Sequence, residues 1–270
     1  MIILITGTST GIGRAAVERL RGKATVIATA RNLDDIRDLE GYGVEIFPLD
    51  VADEASRKAA VDHVLKTHGR IDVLVNNAGY GAFLPVEETS LDQMQAMYDV
   101  NVFGLHRLTQ LVLPGMRAQG SGRIVNVASI VGHISFPFSG TYSSTKFAVR
   151  SLTMALDSEV RSHGIRAILV EPGRIKTRFS HRGHDESAFP PGSAYEAQGR
   201  RFTKRFFHHG GAKPEVIARY IAKASLARRP KIRYLGPMDA RGIRFLVWLL
   251  PDSWIRAFAR LVVGRPKKAG

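Results

Sequence analysis

The 270-residue sequence contains no cysteine. Disulfide bonds, thiol nucleophiles and cysteine-ligated metal sites are therefore excluded as the basis of its function. Long hydrophobic runs are also missing, because the longest, residues 245–250, is far shorter than the ~20 residues that a membrane-spanning helix needs. A strand-like run begins at the first residue, so we expect neither a signal peptide nor a transit peptide. These absences predict a soluble cytoplasmic protein.

Acidic residues are scarce only in the last third of the chain. Residues 1–173 contain 17 Lys and Arg against 18 Asp and Glu, whereas residues 174–270 contain 22 against 6. The net charge of +15 therefore belongs to one region and not to the whole fold. No nucleic-acid-binding motif or regular basic–aromatic pattern accompanies it, so we expect no nucleic-acid partner.

Short runs rich in Val, Ile and Leu alternate with amphipathic helical stretches through the first two thirds of the chain. This alternation is typical of a parallel sheet covered on both faces. We therefore predict a single α/β domain with a doubly wound parallel sheet of about seven strands. The predicted strands are residues 2–6, 24–30, 44–48, 71–76, 123–129, 166–171 and 232–235. The predicted helices are residues 12–22, 53–68, 91–119, 142–163 and 214–228.

Residues 178–213 interrupt this alternation with an irregular, basic segment rich in glycine and proline. Such insertions are typically lids, binding loops or disordered segments. Because this one follows the sixth strand, we expect it at the carboxyl edge of the sheet, where ligands bind in such folds. No regular geometry supports the close pairs His181/His184 and His208/His209, so we expect no metal site.

A glycine-rich turn directly follows the first predicted strand and begins the first helix. It contains Gly7, Thr8, Ser9, Gly11, Ile12 and Gly13. Glycines at this place allow a tight turn and close approach to a pyrophosphate, which the helix N-terminus stabilises. In this strand–turn–helix context the pattern predicts a dinucleotide site. A tight connection without a ligand is the alternative.

The second predicted strand ends at Ala30 and is followed by Arg31. Sites specific for NAD usually place an acidic residue at this strand end to hold the ribose hydroxyls. A cation suits the 2′-phosphate of NADP instead. The sequence therefore favours NADP(H) over NAD(H), although Arg31 as a solvated surface residue stays open because Asp34 and Asp35 follow it.

Ser129 and the run from Tyr142 to Lys146 carry the reaction chemistry that we expect. Tyr142 and Lys146 are four residues apart and share one face of a helix. A nearby ammonium favours the phenolate and lowers a tyrosine pKa from its usual value near ~10. A serine hydroxyl from a separate strand end could polarise the carbonyl oxygen that the tyrosine protonates.

With these residues in order, residues 1 to about 236 resemble the classical short-chain dehydrogenase/reductases. The resemblance implies a single-domain Rossmann fold, with a basic amphipathic helical extension over residues 237–270. It also implies that Tyr142 is the general acid/base and that Ser129 polarises the carbonyl. Lys146 would bind the nicotinamide ribose and lower the tyrosine pKa, and Asn101 would hold a water in the proton relay.

The same resemblance implies a set of cofactor contacts besides the glycine turn, Arg31, Tyr142 and Lys146. Adenine-side contacts are Asp50, Val51, Asn77, Ala78 and Gly79. Contacts at the nicotinamide end are Pro172, Gly173 and Thr177. Arg174, which follows directly, either faces the cavity and recognises an anionic group or points to solvent.

Residues 26–31 and 171–177 are most similar to the hydroxysteroid and retinol dehydrogenase branch of the family. This similarity implies a lipophilic substrate, namely a steroid, a retinoid or an aliphatic ketone, aldehyde or alcohol. A 3-oxoacyl-type ketone reductase of fatty-acid or polyketide metabolism is the nearest alternative. A non-catalytic NADPH-sensing protein is another, but such proteins commonly lose the tyrosine or the lysine.

Residues 242–263 are predicted to form two short helices separated at Pro251, with apolar and basic residues side by side. This extension could serve as a packed lid or dimer contact. Alternatively, residues 242–268 could attach to an anionic membrane surface. Family analogy further implies a homodimer or homotetramer assembled through helices 91–119 and 142–163.

Overall fold

The apolar runs of the chain form one parallel sheet. The computed structural model describes residues 1–177, 189–207 and 210–263. Its strands are β1 (Ile2–Ile5), β2 (Thr25–Ala30), β3 (Val44–Pro48), β4 (Val73–Asn76), β5 (Gly122–Val127), β6 (Ile165–Pro172) and β7 (Arg233–Gly236). Their order across the sheet is β3-β2-β1-β4-β5-β6-β7, and all neighbours are parallel. The predicted fold class is confirmed.

Helices cover both faces of this sheet. They are α1 (Gly11–Leu20), α2 (Glu54–His68), α3 (Leu91–Tyr98), α4 (Leu105–Ala118), α5 (Gly140–Val160), α6 (Glu196–Phe207), α7 (Pro214–Leu226), α8 (Met238–Leu249) and α9 (Asp252–Val263). On one face Ile3 packs with Val17 and Ile217, and on the other Leu4 packs with Val64. Burying each such side chain contributes roughly 1.5–3 kcal/mol to folding.

The order of strands reverses between β1 and β4. The chain runs outward from β1 to β3 and then returns to place β4 on the other side of β1. In open α/β sheets, ligands bind at this point, outside the carboxyl ends of the strands. The turns after β1, β4, β5 and β6 should therefore form the site.

The predicted helix over residues 91–119 is interrupted by a wider π-helical turn, Asp99–Gly104, between α3 and α4. The packing at Gly104 gives the reason. A Cβ atom on this residue would lie 2.2 Å from the carbonyl oxygen of Val51, so the helix passes tightly over the chain after β3. The Asn101 side chain, which lies within this turn, is buried.

The prediction of an irregular segment over residues 178–213 was wrong for its second half, which forms α6. Gly199 lies inside this helix, where a glycine is normally unfavourable. A Cβ atom there would come within 1.9 Å of Phe189, so the missing side chain makes room for that ring. Phe202, on the same helix, is fully buried. Tertiary packing therefore outweighs the local sequence preference.

The carboxyl-terminal extension forms α8 and α9, two helices that meet at Pro251 as expected. Ile243, Val247 and Ile255 pack inward against the apolar cluster that contains Tyr142. No helix in the described ranges is long and apolar enough to cross a membrane.

Candidate active site

The glycine turn after β1 has a backbone that requires glycine. Gly7 and Gly11 adopt left-handed conformations, with φ of 70° and 62°. A Cβ atom at Gly13 would lie 2.3 Å from the carbonyl oxygen of Gly7 and 2.5 Å from the amide nitrogen of Asn77. The predicted glycines are therefore needed to bring the turn, α1 and the end of β4 together.

Side chains from the neighbouring strand ends hold this turn in place. The Asn77 amide donates hydrogen bonds of 2.9 Å to the carbonyl oxygens of Thr6 and Gly7. The Thr6 hydroxyl accepts from the backbone N–H groups of Asn77, at 3.0 Å, and Ala78, at 2.9 Å. Thr8 bonds the carbonyl oxygen of Thr29 through both its N–H, at 2.9 Å, and its hydroxyl, at 3.1 Å. The sequence did not single out Thr6 or Thr29.

The N-terminus of α1 is open to an anion. The side chain of its N-cap, Thr10, makes no capping hydrogen bond, and its first turn contains no acidic residue. The unpaired N–H groups and the helix dipole at such an end favour a negatively charged group. Ser9 lies half-buried in the turn, and Ile12 packs against the core below it. The turn and helix therefore fit the pyrophosphate of a dinucleotide.

Arg31 lies exposed directly after β2. Two of the acidic residues that follow are engaged elsewhere, because Asp34 pairs with Arg37 at 2.8 Å and Asp38 pairs with Arg14. Within the described part of the chain, no hydrogen bond or ion pair engages the Arg31 guanidinium. This cation is therefore available at the strand end that contacts the ribose in dinucleotide folds.

The predicted adenine-side residues occupy the ends of β3 and β4. Asp50 accepts a hydrogen bond of 2.9 Å from the backbone of Ala52 through one carboxylate oxygen. Val51 is buried beneath the π-helical turn. Ala78 approaches Gly7 so closely that a Cβ atom on that glycine would lie 2.8 Å from its Cα atom.

Ser129 and Tyr142 meet at the carboxyl edge of the sheet. Ser129 follows β5 and Tyr142 lies in the first turn of α5, and their side chains form a hydrogen bond. Tyr142 is only 8% exposed. Burial raises its pKa above the ordinary value, and the hydrogen bond with Ser129 opposes that rise. That Lys146 lowers this pKa stays a prediction of the resemblance; in the protein alone, burial has the largest influence on the Tyr142 pKa.

Lys146 lies one helical turn after Tyr142. Its ammonium is 5.7 Å from the centroid of the Tyr142 ring and donates a hydrogen bond of 3.1 Å to the carbonyl oxygen of Val127. Burial lowers the pKa of Lys146 to about 8, because removal from water disfavours the charged form. At pH 7 the side chain is still mostly a cation.

Asn101 is fixed beside this lysine by three hydrogen bonds. Its amide nitrogen donates to the carbonyl oxygen of Tyr80, at 2.8 Å, and to the Thr145 hydroxyl, at 3.1 Å, while its oxygen accepts from the Tyr80 N–H at 3.0 Å. A Cβ atom on Gly79 would lie 2.9 Å from the Asn101 oxygen and 3.6 Å from the Lys146 nitrogen. Thr145 and Tyr80 are contacts that the sequence did not predict.

The segment after β6 returns to the glycine turn. Thr177 lies so close to Gly11 that a Cβ atom on the glycine would be 3.1 Å from its methyl carbon. The Ser129 hydroxyl lies 3.4 Å from the carbonyl oxygen of Pro172, and the Gly173 N–H donates to the backbone of β7 at 2.9 Å. The structure therefore brings the predicted nicotinamide-end residues next to both the turn and Ser129.

Arg174 is exposed, which agrees with the solvent-facing one of its two expected positions. Its side chain is 44% exposed, with Nε 3.7 Å from a carboxylate oxygen of Asp239 at the start of α8. Its backbone N–H bonds the same carboxylate at 3.3 Å. Arg174 thus links the segment after β6 to α8.

A buried ionic cluster supports the floor of the site and was not predicted. Glu171 is fully buried at the end of β6. Its carboxylate lies 2.8 Å from His133 Nε2, in the turn after Ser129, and 3.0 Å from Arg233 Nε on β7. Arg150 of α5 is 4.0 Å away. The carboxylate thus joins four elements around Ser129.

An apolar wall faces Tyr142. Its aromatic members include Phe83, Phe136, Phe138 and Phe202, and residues of α8 and α9 complete it. The ring centroid of Phe83 is 5.8 Å from that of Tyr142. In the described part of residues 178–213, the Ser193 hydroxyl donates a hydrogen bond of 2.7 Å to the Glu88 carboxylate and so ties this segment to the rest of the protein. A substrate at Tyr142 would therefore meet mostly hydrocarbon.

Within the described ranges, no group of three or more potential metal ligands comes together. The histidine pairs His181/His184 and His208/His209 lie outside those ranges. The described site is thus made of hydroxyl, amide and ammonium groups.

A dinucleotide-binding turn at the switch point, with a serine, a tyrosine and a lysine beside it, defines a nicotinamide-dependent oxidoreductase. The family model for short chain dehydrogenases matches residues 1–187. The chain therefore belongs to the short-chain dehydrogenase/reductase family and is an NAD(P)-dependent oxidoreductase acting on a small carbonyl or alcohol.

Curated relatives match almost the whole chain. An uncharacterized oxidoreductase of Escherichia coli, YbbO, is 34% identical over 92% of this chain and 90% of its own length. A 3-ketodihydrosphingosine reductase of Bacteroides thetaiotaomicron is 31% identical over 96% and 97%. Estradiol 17-beta-dehydrogenase 1 of Rattus norvegicus is 33% identical over 87% and 73%.

Solved structures agree with this family. A short-chain dehydrogenase from Streptomyces avermitilis superimposes with a TM-score of 0.81 and 32% identity, covering 95% of this chain and 94% of the other. A serine dehydrogenase complexed with NADP+ has a TM-score of 0.73 and 27% identity, covering 87% of this chain and 92% of the other. A Burkholderia phymatum member in complex with NAD gives 0.78 and 26%, covering 90% and 91%. Structures similar to this chain therefore bind either cofactor.

Proposed function

We propose that this protein is an NADP(H)-dependent reductase that interconverts a carbonyl and an alcohol on a lipophilic substrate, with Tyr142 as general acid/base. The observation that carries the proposal is the buried Tyr142 phenol, hydrogen-bonded to Ser129 and one helical turn from Lys146. This cluster lies beside the dinucleotide turn and inside an apolar wall.

The cofactor would lie along the carboxyl edge of the sheet. The glycine turn and α1 would hold its pyrophosphate, and Asp50, Val51, Asn77, Ala78 and Gly79 would surround its adenine half. Pro172, Gly173 and Thr177 would border the nicotinamide end, where Lys146 and Tyr142 also lie. When bound, a nicotinamide dinucleotide supplies or accepts the hydride.

Tyr142 is a neutral phenol at pH 7, because burial raises its pKa. In the reductive direction it would therefore donate a proton to the carbonyl oxygen. Ser129 would hold that oxygen by a hydrogen bond and orient the carbonyl carbon. The phenolate that remains is stabilised by the Lys146 ammonium, whose pKa of about 8 keeps it charged near neutral pH. Asn101, held by Tyr80 and Thr145, would support the return of a proton.

The apolar wall supports a lipophilic substrate. Phenyl rings and branched aliphatic side chains surround Tyr142, and α8 covers them. Two relatives have names that refer to a ketodihydrosphingosine and to estradiol, both largely hydrocarbon. Steroid, retinoid and aliphatic carbonyls thus remain the proposed class, with a 3-oxoacyl substrate as the alternative.

Arg31 supports the choice of NADP(H). It is exposed at the end of β2, and ion pairs with other arginines occupy Asp34 and Asp38. The strand end therefore presents a positive charge, which a 2′-phosphate neutralises.

Two expectations about the whole molecule stay predictions. A homodimer or homotetramer is supported by apolar side chains exposed on and beside α5, among them Phe103 at 50% and Phe147 at 40%. The cytoplasmic location rests on the sequence alone.

The direct test is NADPH oxidation with a panel of steroid, retinoid and aliphatic carbonyls, followed by Tyr142→Phe on the best substrate. We expect kcat to fall by about 100-fold or more, because the variant removes the proton donor. The NADPH affinity should change little. Tyr98→Phe is the matched control. It also removes a tyrosine hydroxyl, one that bonds Ser144 of α5, the helix that contains Tyr142. A Tyr142→Phe enzyme that keeps most of its activity would refute the proposal.

A further inference from the structure

Four large apolar side chains at the junction of α8 and α9 point away from the protein. Phe245 is 57% exposed, Trp248 73%, Leu249 56% and Trp254 66%. The Phe245 and Trp248 rings contact each other, with centroids 6.0 Å apart. We call these four residues the outer apolar face. A cluster of this kind on a protein surface usually marks an interaction site.

The inner side of the same two helices is already used. Ile243, Val247 and Ile255 pack into the cluster that contains Tyr142. The outer apolar face is therefore not the surface by which these helices cover the active site. The described part of the chain leaves it exposed.

Exposed basic residues lie on the same helical extension as the outer apolar face. Arg256 and Arg260 are exposed on α9, and neither forms an ion pair with an acidic residue among those described. Asp239 of α8 is occupied by Arg174. Residues 237–270 contain seven Lys and Arg against two Asp and Glu, because Arg265, Lys267 and Lys268 follow α9 in the sequence. The extension therefore combines exposed tryptophans with a net positive charge.

We propose that the outer apolar face docks on an anionic membrane surface, lying in the interface without crossing it. Tryptophan, phenylalanine and leucine insert at the boundary between headgroups and acyl chains, and arginines attract anionic headgroups. A second copy of this chain is a poorer partner, since it would bring two positively charged extensions together.

Docking at this place has a consequence for catalysis that rests on the proposed function. The helices that touch the lipid on one side pack against the Tyr142 cluster on the other. A lipophilic substrate could then pass from the membrane into the site along α8 without crossing bulk water.

The test uses the full chain with vesicles of phosphatidylcholine alone or mixed with phosphatidylglycerol. Both tryptophans of the protein belong to the outer apolar face, so intrinsic fluorescence reports on this surface alone. We expect co-sedimentation and a blue shift of the emission with the anionic vesicles. Both effects should weaken as salt is added, because salt screens the arginines.

Phe245→Ser combined with Leu249→Ser should weaken vesicle binding by about tenfold or more while keeping both tryptophans as reporters. Arg256→Gln combined with Arg260→Gln should weaken binding to anionic vesicles in the same assay. Tyr42→Ser is the control, because Tyr42 is 89% exposed in the turn before β3, at the opposite edge of the sheet. It should bind like the unmodified protein.

Three results would overturn the proposal: no binding to anionic vesicles, equal binding by the Phe245/Leu249 variant, or a dimer that this variant abolishes. NADPH oxidation of a water-soluble carbonyl without vesicles should be the same in all these variants. If that activity is missing from the unmodified protein while vesicle binding persists, the proposed function fails and the docking surface stands.

Discussion

The Lys146 ammonium donates a hydrogen bond of 3.1 Å to the carbonyl oxygen of Val127, the last residue of β5. This contact holds the Lys146 side chain of α5 against the strand that leads to Ser129. It also keeps a cation in a buried place, where burial lowers its pKa to about 8. The position of the lysine is therefore obtained at a cost in folding free energy.

Lys146→Met should raise the stability of the protein at neutral pH while removing activity. The lysine pKa is 10.5 in the unfolded chain and about 8 in the folded one. Below pH 8 the lysine binds the proton in both the folded and the unfolded protein, so the full free-energy penalty of burying its charge applies there. That penalty corresponds to roughly 3 kcal/mol, less the lost hydrogen bond to Val127. Between pH 8 and 10.5 only the unfolded chain holds the proton, so the native protein gains stability as pH rises.

The measurement is urea unfolding of both proteins from pH 7 to 10.5. The stability advantage of Lys146→Met should be largest at pH 7 and should shrink toward pH 10. A constant difference across this range would mean that the lysine is not destabilised by its burial. Lys66→Met on the exposed surface of α2 is a suitable control for the loss of a cation.

The sheet could be predicted because its strands are buried on both faces and so appear as continuous apolar runs. The π-helical turn at Asn101 could not, since it depends on how Gly104 fits against Val51, a contact between distant parts of the chain. For the same reason α6 was missed. Its Gly199 disfavours a helix locally, and only the packing of Phe189 explains it.

Thr145 should act as a positioning residue through its hydrogen bond with Asn101. The hydroxyl accepts from the Asn101 amide at 3.1 Å and donates to the carbonyl oxygen of Tyr142 at 2.7 Å. Thr145→Val removes both bonds and leaves a buried amide hydrogen unpaired, which costs about 1–3 kcal/mol. We expect kcat to fall by about tenfold, with KM for NADPH nearly unchanged.

Rescue separates positioning from a general loss of structure. Thr145→Ser keeps the hydroxyl and should restore most of kcat, whereas Thr145→Val should not. If both variants lose activity equally, packing of the threonine methyl group is what matters. If neither loses activity, Asn101 does not need this partner.

The site residues fall into two groups, those that could be predicted from the sequence and those that could not. Glycines, Tyr142 and Lys146 follow from motifs whose spacing has a chemical meaning. The supporting residues, such as Thr6 and Glu171, become visible only when strands distant in sequence lie side by side. A carboxylate inside the apolar run of β6 was the one signal that could have pointed to the cluster of Glu171, His133 and Arg233.

Arg31→Asp should reverse the cofactor preference. The arginine is exposed after β2, and Asp34 and Asp38 are held by other arginines, so its charge is free to meet a 2′-phosphate. An aspartate would repel that phosphate and could accept hydrogen bonds from the ribose hydroxyls of NADH. We expect the affinity for NADPH to fall by about tenfold or more, while that for NADH holds or improves.

Titration of each cofactor by nucleotide fluorescence measures this change without a substrate. Arg37→Asp is the matched control, because it reverses the same charge six residues away at a side chain already paired with Asp34. If Arg31→Asp and Arg37→Asp weaken NADPH binding equally, the effect is a general one of surface charge. An unchanged ratio of NADPH to NADH affinity in Arg31→Asp would show that Arg31 does not select the cofactor.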